Sequence, residues 1–480
     1  MSHKIVYTLL SMIVSVLVFY IIYNANWLLG DQAEFLSTTA IGKIEPLSTH
    51  INTSNGRFYP LGHYSYNILT LFPLGKSVVS HFILNAVSFL IFVAATLILI
   101  HKIVYSSGNS KLNDWIILFT LTFLFQRVYS VFIDIIFPER TVITLMFVFM
   151  LAVYQFFKTD KWLYGIIGLI CSVYMVYCKE PLFLSFIIFA LTNVIFNWKE
   201  LSFNNRIFQL ILVLNSLIFI LLYYFLVYRN ITFAYVGNHG ENNWIRLIIK
   251  MIWSNKIFFI GIILFFIRAY TILFRKDRNH LFYDGLLFAG LAYFFACLIL
   301  KLNYTYYYLP ALALFTPAIV YWLIRYIKPL GAFGVMLFLA LFYVIKFPTL
   351  IYNNQSERII TYPKIEKITK YISAGYQLIW YNAESPTNKS WNQGLIKWQK
   401  TSLQTYIAHI LKDEKYCFNT VNSLSEVKDS NYLLLYPIEN DLINDTQAIQ
   451  FKNKIKQIDK DTILQIKDIR VIKLSNSPMN

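Results

Sequence analysis

Two carboxylates near the end of the first apolar segment are the residues best placed to do chemistry. Asp31 and Glu34 follow Gly30, where a hydrophobic stretch gives way to a polar and aromatic loop. If helical structure continues past Gly30, their spacing puts both carboxylates on one face. A carboxylate where a membrane helix meets water can act as a general base, or hold a divalent cation on a phosphate. We predict a catalytic role for both; the alternative is ordinary solvation of a loop start.

The loop over residues 30–77 adds groups suited to a phosphorylated or sugar-bearing ligand. Its middle reads Gly-Arg-Phe-Tyr-Pro-Leu-Gly-His-Tyr from position 56. The Arg57 guanidinium offers a planar fork of donors that matches phosphate, and His63 could hydrogen-bond or ligate. Tyr59 and Tyr64 suit the headgroup region or a sugar face. The structural alternative is an interfacial segment packed against the helices.

A second acidic group lies at residues 134–141, in the sequence Asp-Ile-Ile-Phe-Pro-Glu-Arg-Thr. Pro138 ends one apolar segment, and Glu139 and Arg140 begin the next. An acid at a helix N-terminus also stabilises the helix, so Glu139 could be purely structural. We predict Glu139 as catalytic, Arg140 as a phosphate contact and Asp134 as a group lining the substrate.

Two lysines stand in turns between apolar segments. Lys179 lies in Cys-Lys-Glu-Pro at 178–181, where the proline suits a first helical position. This lysine could neutralise a lipid phosphate, or extend to the membrane interface. Lys301 precedes a tyrosine-rich run that includes Tyr307, and an aromatic belt alone would explain the tyrosines. We predict both lysines as phosphate contacts and Tyr307 as substrate-lining.

The segments that must position these residues are membrane helices. The chain is 57% hydrophobic and 14% charged, against about 25% charged in soluble domains. A span needs about 20 apolar residues. The pattern predicts about eleven spans, at residues 5–29, 78–103, 113–130, 141–157, 162–178, 182–197, 207–228, 256–274, 281–300, 306–326 and 331–348.

Charge and composition then predict the orientation of the two parts of the chain. The short loops on one side of the membrane carry Lys and Arg and no other unusual residues, which indicates the cytoplasmic side. The N-terminus is therefore predicted to lie inside. An odd number of spans then puts residues 351–480 outside, on the same side as the loops that carry the candidate site residues. This C-terminal part has ordinary polarity and predicts a small α/β domain, with helices at 364–373 and 402–412 and strands at 377–381, 432–437 and 463–474. The basic excess flanks apolar segments, which favours membrane-lipid contacts and argues against nucleic acid.

Together these motifs resemble the GT-C glycosyltransferases, of the group containing protein O-mannosyltransferases and lipid A aminoarabinose transferases. That family has an acidic pair after its first helix, here Asp31 and Glu34, then a proline-leucine-aromatic segment, here Tyr-Pro-Leu-Gly-His-Tyr. An acid starts its fourth helix, here Glu139, and a Thr-Lys-Gly-Pro turn corresponds to residues 178–181. A basic residue precedes a Tyr-Leu-Leu-Pro stretch, here Lys301 and Tyr-Tyr-Tyr-Leu-Pro. The chain departs from the pattern at Leu61, Tyr59 and Glu180.

The resemblance implies a GT-C-like membrane domain over 1–350 and an extracytoplasmic domain over 351–480. It implies transfer of a sugar from a polyprenyl-phosphate-linked donor to an acceptor outside the cytoplasmic membrane. Asp31 would be the base, with Glu139 assisting or holding a cation. Arg57, Lys179 and Lys301 would neutralise the leaving phosphate. Metal dependence is left open. A surface-polysaccharide polymerase or ligase and a lipid or glycan transporter are the alternatives; the few intramembrane charges, such as Arg268 and Asp284, lie towards the predicted cytoplasmic ends.

Overall fold

The computed structural model describes most of the helical part of the chain and a smaller share of the C-terminal part. The described residues are 3–23, 25, 43–44, 51–53, 56–106, 108, 110–135, 137–231, 244–302, 305–345, 347–381, 390–413, 416–421, 432–437, 462–466 and 469–473. Two predicted catalytic residues, Asp31 and Glu34, lie outside them. The chain forms two compact units, one of Met1–Tyr23, Glu45–Phe72 and Val79–Leu350, the other of Asn24–Ile44, Pro73–Val78 and Ile351–Asn480.

The first unit is a bundle of apolar helices. They are α1 (His3–Tyr23), α2 (Val78–Ser106), α3 (Asn113–Val128), α4 (Glu139–Thr159), α5 (Trp162–Cys178), α6 (Leu182–Asn197), α7 (Phe203–Leu226), α8 (Trp244–Ser254), α9 (Lys256–Phe274), α10 (Leu281–Ile299) and α11 (Leu309–Val344). The first loop contributes a two-residue hairpin, β1 (Ile51–Asn52) with β2 (Arg57–Phe58), and a single helical turn at Asn67–Thr70.

Seven helices in the described residues are long and apolar enough to cross a membrane, and α5 and α6 are shorter apolar helices. Their surfaces fit hydrocarbon better than water. Along α1, Met12, Val16 and Phe19 are each more than 60% exposed, whereas Leu10 and Leu17 are buried. On helices long and apolar enough to span a membrane, an exposed apolar stripe of this kind is expected to face lipid. The chain is therefore a helical membrane protein; the number of eleven spans stays a prediction.

Helices α4 and α5 pack antiparallel, as do α6 and α10, so the ends of these helices gather on two opposite faces of the bundle. The closest packing joins α4 with α5, α6 with α10, and α3 with α11. The predicted spans 306–326 and 331–348 correspond largely to the two halves of the single element α11 (Leu309–Val344), which Lys328 breaks with φ 61° and ψ 170° before Pro329. The start of α4, the end of α5, the start of α6 and the end of α10 therefore share one face.

The second unit contains a five-stranded sheet in the order β4-β3-β5-β7-β6. The strands are β3 (Gln377–Tyr381), β4 (Asn419–Val421), β5 (Tyr432–Pro437), β6 (Thr462–Ile466) and β7 (Ile469–Lys473). Helix α13 (Ser390–Leu411) belongs to this unit, and α12 (Phe347–Ser373) begins in the last residues of the first unit and continues into it. β3 is parallel to β4 and β5, whereas β7 is antiparallel to β5 and β6. The predicted strands 377–381 and 432–437 are confirmed. The predicted strand at 463–474 is instead the hairpin β6–β7, and β4 was not predicted.

Candidate functional site

A buried ion pair lies where α4 begins and α5 ends. Lys179 Nζ is 2.5 Å from Glu139 Oε1, and the two side chains are 4% and 1% exposed. Glu139 is the first residue of α4 after Pro138, and Lys179 adopts extended φ and ψ values directly after α5. Because α4 and α5 pack closely, these residues, 40 positions apart, face each other. Two charges without solvent are costly to bury, which marks the pair as a functional candidate.

This pair retains unused bonding capacity. Glu139 Oε2 is buried and has no hydrogen-bond partner among the described residues. The Lys179 ammonium lies 4.3 Å from the centre of the Tyr307 ring, a cation–π contact. A carboxylate accepts through both oxygens and an ammonium has three donors. A ligand could therefore bind both partners without breaking the bond between them.

The adjacent residue Glu180 forms a second ion pair with Arg57 of the first loop. Arg57 Nε is 3.1 Å from Glu180 Oε1, and the Phe58 N–H donates to the same oxygen at 3.0 Å. The Arg57 guanidinium also lies over the Tyr59 ring, 4.6 Å from its centre. Glu180, noted in the sequence only as a departure from the family pattern, is thus the anchor for Arg57.

The charges of this second pair are mutually stabilised. Burial alone would raise the pKa of Glu180, but the positive charges of Arg57 and Lys179 and the Phe58 N–H bring it below its ordinary value. Burial would likewise lower the pKa of Arg57, but Glu180, Tyr59 and Tyr307 raise it above its ordinary value. Both groups are therefore charged near neutral pH.

Backbone contacts hold the first loop on the turn that carries both pairs. The Leu61 N–H donates to the Tyr177 carbonyl at 3.0 Å, and the Cys178 thiol donates to the Leu61 carbonyl at 3.3 Å. His63 and Tyr64 follow at the start of a 3₁₀ turn, with the His63 ring 6.1 Å from that of Tyr59. The predicted substrate-lining residues Tyr59, His63 and Tyr64 thus lie on the segment that carries Arg57.

Arg140 belongs to a third, largely neutral cluster. Its guanidinium donates to Asn85 Oδ1 at 2.9 Å and to Ser65 Oγ at 2.5 Å, and it lies 4.5 Å from the centre of the Tyr66 ring. Asn85 in turn donates to the carbonyls of Phe132 and Asp134. The predicted phosphate contact Arg140 therefore joins the first loop to α2 and to the turn that contains Asp134.

Lys301 has a backbone role that the sequence did not indicate. It follows α10 with a left-handed φ of 52°. The Leu302 N–H bonds to the Cys297 carbonyl and the Lys301 N–H to the Leu298 carbonyl, each at 2.9 Å, which is the Schellman pattern of a helix end. Glycine usually occupies this position, so Lys301 carries a conformational cost.

The structure thus brings together four segments that are distant in sequence. The Arg57–Tyr64 segment, Glu139, the 178–180 turn and Tyr307 meet at one end of the bundle. The sequence analysis missed Ser65, Tyr66 and Asn85. Asn85 gave a signal that could have been used, because an amide in the apolar segment α2 needs buried partners. Within the described residues no three His, Cys, Asp or Glu side chains gather as metal ligands.

Comparisons with known proteins add no relative. No protein-family model matches the chain, and no curated protein matches it. The resemblance to GT-C enzymes therefore rests on the motifs quoted above.

Proposed function

We propose that the chain is an integral membrane glycosyltransferase of the GT-C type. It transfers a sugar from a polyprenyl-phosphate-linked donor to an extracytoplasmic acceptor, which is a lipid, a glycan or a protein. One observation carries the proposal: four segments that correspond in order to GT-C motifs converge on a buried Glu139–Lys179 pair with a carboxylate oxygen to spare.

The position of the pair supports a lipid-linked donor. Glu139 begins an apolar helix and Lys179 directly follows another, and the ends of spanning helices are where the headgroup region is expected. A polyprenyl chain stays in hydrocarbon while its phosphate remains near the surface. Such a donor enters sideways from the bilayer, and a site at helix ends requires no path through the bundle.

The reaction assigns a role to each charged group. The bond between the sugar anomeric carbon and the phosphate oxygen breaks, and the acceptor atom forms a new bond to that carbon. The leaving phosphate gains negative charge, which the Lys179 ammonium and the Arg57 guanidinium stabilise. Glu139 and Glu180 act as positioning residues for these two cations. The acceptor proton goes to Asp31, because the described carboxylates Glu139 and Glu180 already bind cations.

The proposal includes eleven spans, with the N-terminus in the cytoplasm and the C-terminal sheet outside. A reporter enzyme that is active only outside the cytoplasm, fused after Asn480, should be active. Activity only in a cytoplasmic reporter would put an even number of spans before residue 351 and contradict the outer-face site.

The deciding experiment measures cleavage of the donor. Purified protein in lipid nanodiscs is incubated with a panel of polyprenyl-phosphate sugars and cell-envelope acceptors, and released polyprenyl phosphate is quantified. We expect release with one donor class, strongly reduced in Lys179→Met and unchanged in Lys199→Met, a matched control on the opposite face. Movement of intact donor across a vesicle membrane without cleavage would indicate a transporter. A product with many repeating units would indicate a polymerase.

A further inference from the structure

A polar pocket lies at the opposite end of the same helices. It encloses about 440 Å³ between the last turns of α4 and α6 and the first turns of α7 and α10. The lining includes Lys158, Asp160, Asn197, Glu200, Asn205 and Arg278. Helix α4 has 21 residues, so its length of about 30 Å separates this pocket from Glu139. The pocket is therefore a second site and does not depend on the proposed glycosyl transfer.

One wall of the pocket is held rigid by Asp160. Its carboxylate accepts from Ser202 Oγ at 2.5 Å, from Asn204 Nδ2 at 2.9 Å and from Asn205 Nδ2 at 3.2 Å. These bonds fix the orientation of the Asn205 amide, because its nitrogen must face the carboxylate. Its oxygen therefore cannot be exchanged for a donor by rotating the amide.

The same wall presents acceptors that have no donor. Asn205 is 5% exposed, and its Oδ1 is buried without a partner among the described residues; Asn197 Oδ1 is in the same state. A buried carbonyl without a hydrogen bond is costly, so two of them lining one pocket indicate a ligand that donates. Glu200 adds a carboxylate to the lining.

The other side of the pocket favours an anion. Helix α10 begins here, and its N-cap residue His280 makes no side-chain capping bond to the first N–H groups. Arg278 and Lys158 are the cations of the lining. The Asp284 carboxylate in the first turn of α10 is paired with Arg268, so the helix N-terminus beside the Arg278 guanidinium is still suited to a phosphate. The pocket therefore combines an anion subsite with a subsite for an N–H or O–H donor.

We infer that this pocket binds a phospholipid headgroup that bears a primary ammonium, with its phosphate at Arg278 and the α10 N-terminus and its ammonium at Asn197, Asn205 and Glu200. An ammonium has three N–H donors and a positive charge, which match two amide oxygens and one carboxylate. Exposed apolar side chains next to the pocket, Ile195 and Phe203, offer a surface for the acyl chains. This surface favours a lipid over a soluble amine phosphate.

Native mass spectrometry of the purified full chain tests the inference. Phosphatidylethanolamine, phosphatidylcholine and phosphatidylglycerol with identical acyl chains are added in turn, and the retained lipid is measured. The trimethylated ammonium of phosphatidylcholine has no N–H donors, while its headgroup keeps the positive ammonium and the negative phosphate. We therefore expect phosphatidylethanolamine to bind at least about tenfold more tightly than phosphatidylcholine, as for the loss of hydrogen bonds to a charged group. Equal binding of these two lipids, or tighter binding of phosphatidylglycerol, would overturn the ammonium assignment.

Substitutions locate the binding. Arg278→Gln and Asn197→Leu should each weaken phosphatidylethanolamine retention about tenfold, and Lys199→Gln, an exposed neighbour outside the lining, should not. Asn205→Leu should also weaken phosphatidylethanolamine retention. Because Asn205 also supports Asp160, folding of this variant is checked first, and if it does not fold, Arg278→Gln and Asn197→Leu decide the test. Retention equal to that of Lys199→Gln in both of those variants would overturn the site. Soluble glycerophosphoethanolamine binding as tightly as the lipid would overturn the lipid source.

Discussion

Two buried ion pairs at opposite ends of the bundle differ in how completely their bonding capacity is used. Arg268 on α9 uses all five N–H groups: two bond the two oxygens of Asp284 at 2.8 and 2.9 Å, and three bond Asp277 and Tyr326. Trp322 covers its guanidinium at 3.8 Å. At the other end, the Glu139–Lys179 pair leaves one carboxylate oxygen without a partner in the described residues.

The difference separates an ion pair that can only be structural from one that is free to contact a ligand. A pair whose donors and acceptors are all used joins helices and cannot bind anything else without losing bonds. A pair with spare capacity carries the same burial cost, yet it can exchange interactions with a ligand during a reaction. Burial of charge alone therefore does not make a residue a candidate for catalysis; unused hydrogen-bonding capacity is a further requirement.

Arg268→Leu should give the largest loss of stability. It leaves Asp284 buried without its partner, and removing one member of a buried pair costs about 3–5 kcal/mol. We expect little monodisperse protein and a strongly lowered unfolding midpoint by scanning fluorimetry. The double variant Arg268→Leu/Asp284→Leu should recover most of the loss. Wild-type stability in the single variant would show that the Arg268–Asp284 pair does not join α9 to α10.

Asp31→Asn should give the largest loss of activity in a folded protein. The change keeps the shape and removes the charge and basicity, so transfer should fall at least about a hundredfold. Glu34→Gln is the companion variant, with a smaller loss. Near-normal transfer by correctly folded Asp31→Asn would contradict the assignment of Asp31 as the base.

Lys179→Met tests the Glu139–Lys179 pair directly. Losing one charge-assisted contact costs roughly 1.5–3 kcal/mol, or about 10- to 150-fold in donor use, with acceptor dependence nearly unchanged. The double variant Lys179→Met/Glu139→Gln removes both charges. If Lys179 contacts donor phosphate, the double variant stays impaired. Recovery of donor saturation would show that Lys179 only neutralises Glu139, as Arg268 neutralises Asp284.

The Arg57–Glu180 pair should give a smaller, pH-dependent effect. The pKa of Glu180 is lowered in the folded protein, so the pair stabilises the fold above the ordinary carboxyl pKa of about 4.3. This contribution is lost as pH falls through the lowered folded value. Unfolding midpoints compared between pH 7 and pH 3 should therefore converge for wild type and Glu180→Gln towards the acid end. A constant difference across this range would contradict the assignment.

Substitutions at Lys301 should give the smallest effect, a small change in the free energy of unfolding. Lys301→Gly removes the cost of a left-handed φ and should stabilise the protein by about 0.5–1 kcal/mol, whereas Lys301→Met keeps that cost. Scanning fluorimetry compares them. Donor saturation that falls equally in both variants would support the predicted phosphate contact. Normal saturation in both would restrict Lys301 to its role in the helix end.

Local patterns in the sequence predicted where the helices lie, but not which residues from different segments contact each other. The predicted spans 162–178, 182–197 and 256–274 coincide with α5, α6 and α9, because apolar runs and their end signals are local. The pairing of Arg57 with Glu180 joins positions 123 apart and depends on how helices pack. The left-handed Lys301 also has no local signal, since its side chain gives no reason for that conformation. The outer acids Asp31 and Glu34 stay predictions.

The corner in α11 bears on how the chain enters the membrane during synthesis. Only Lys328 departs from helical backbone angles between the two halves of this element, in a conformation that is otherwise almost restricted to glycine. No separate loop joins the halves, because Arg325, Lys328 and Pro329 stand directly at the corner. Two spans joined this tightly are expected to insert together, with the basic corner held at the membrane surface.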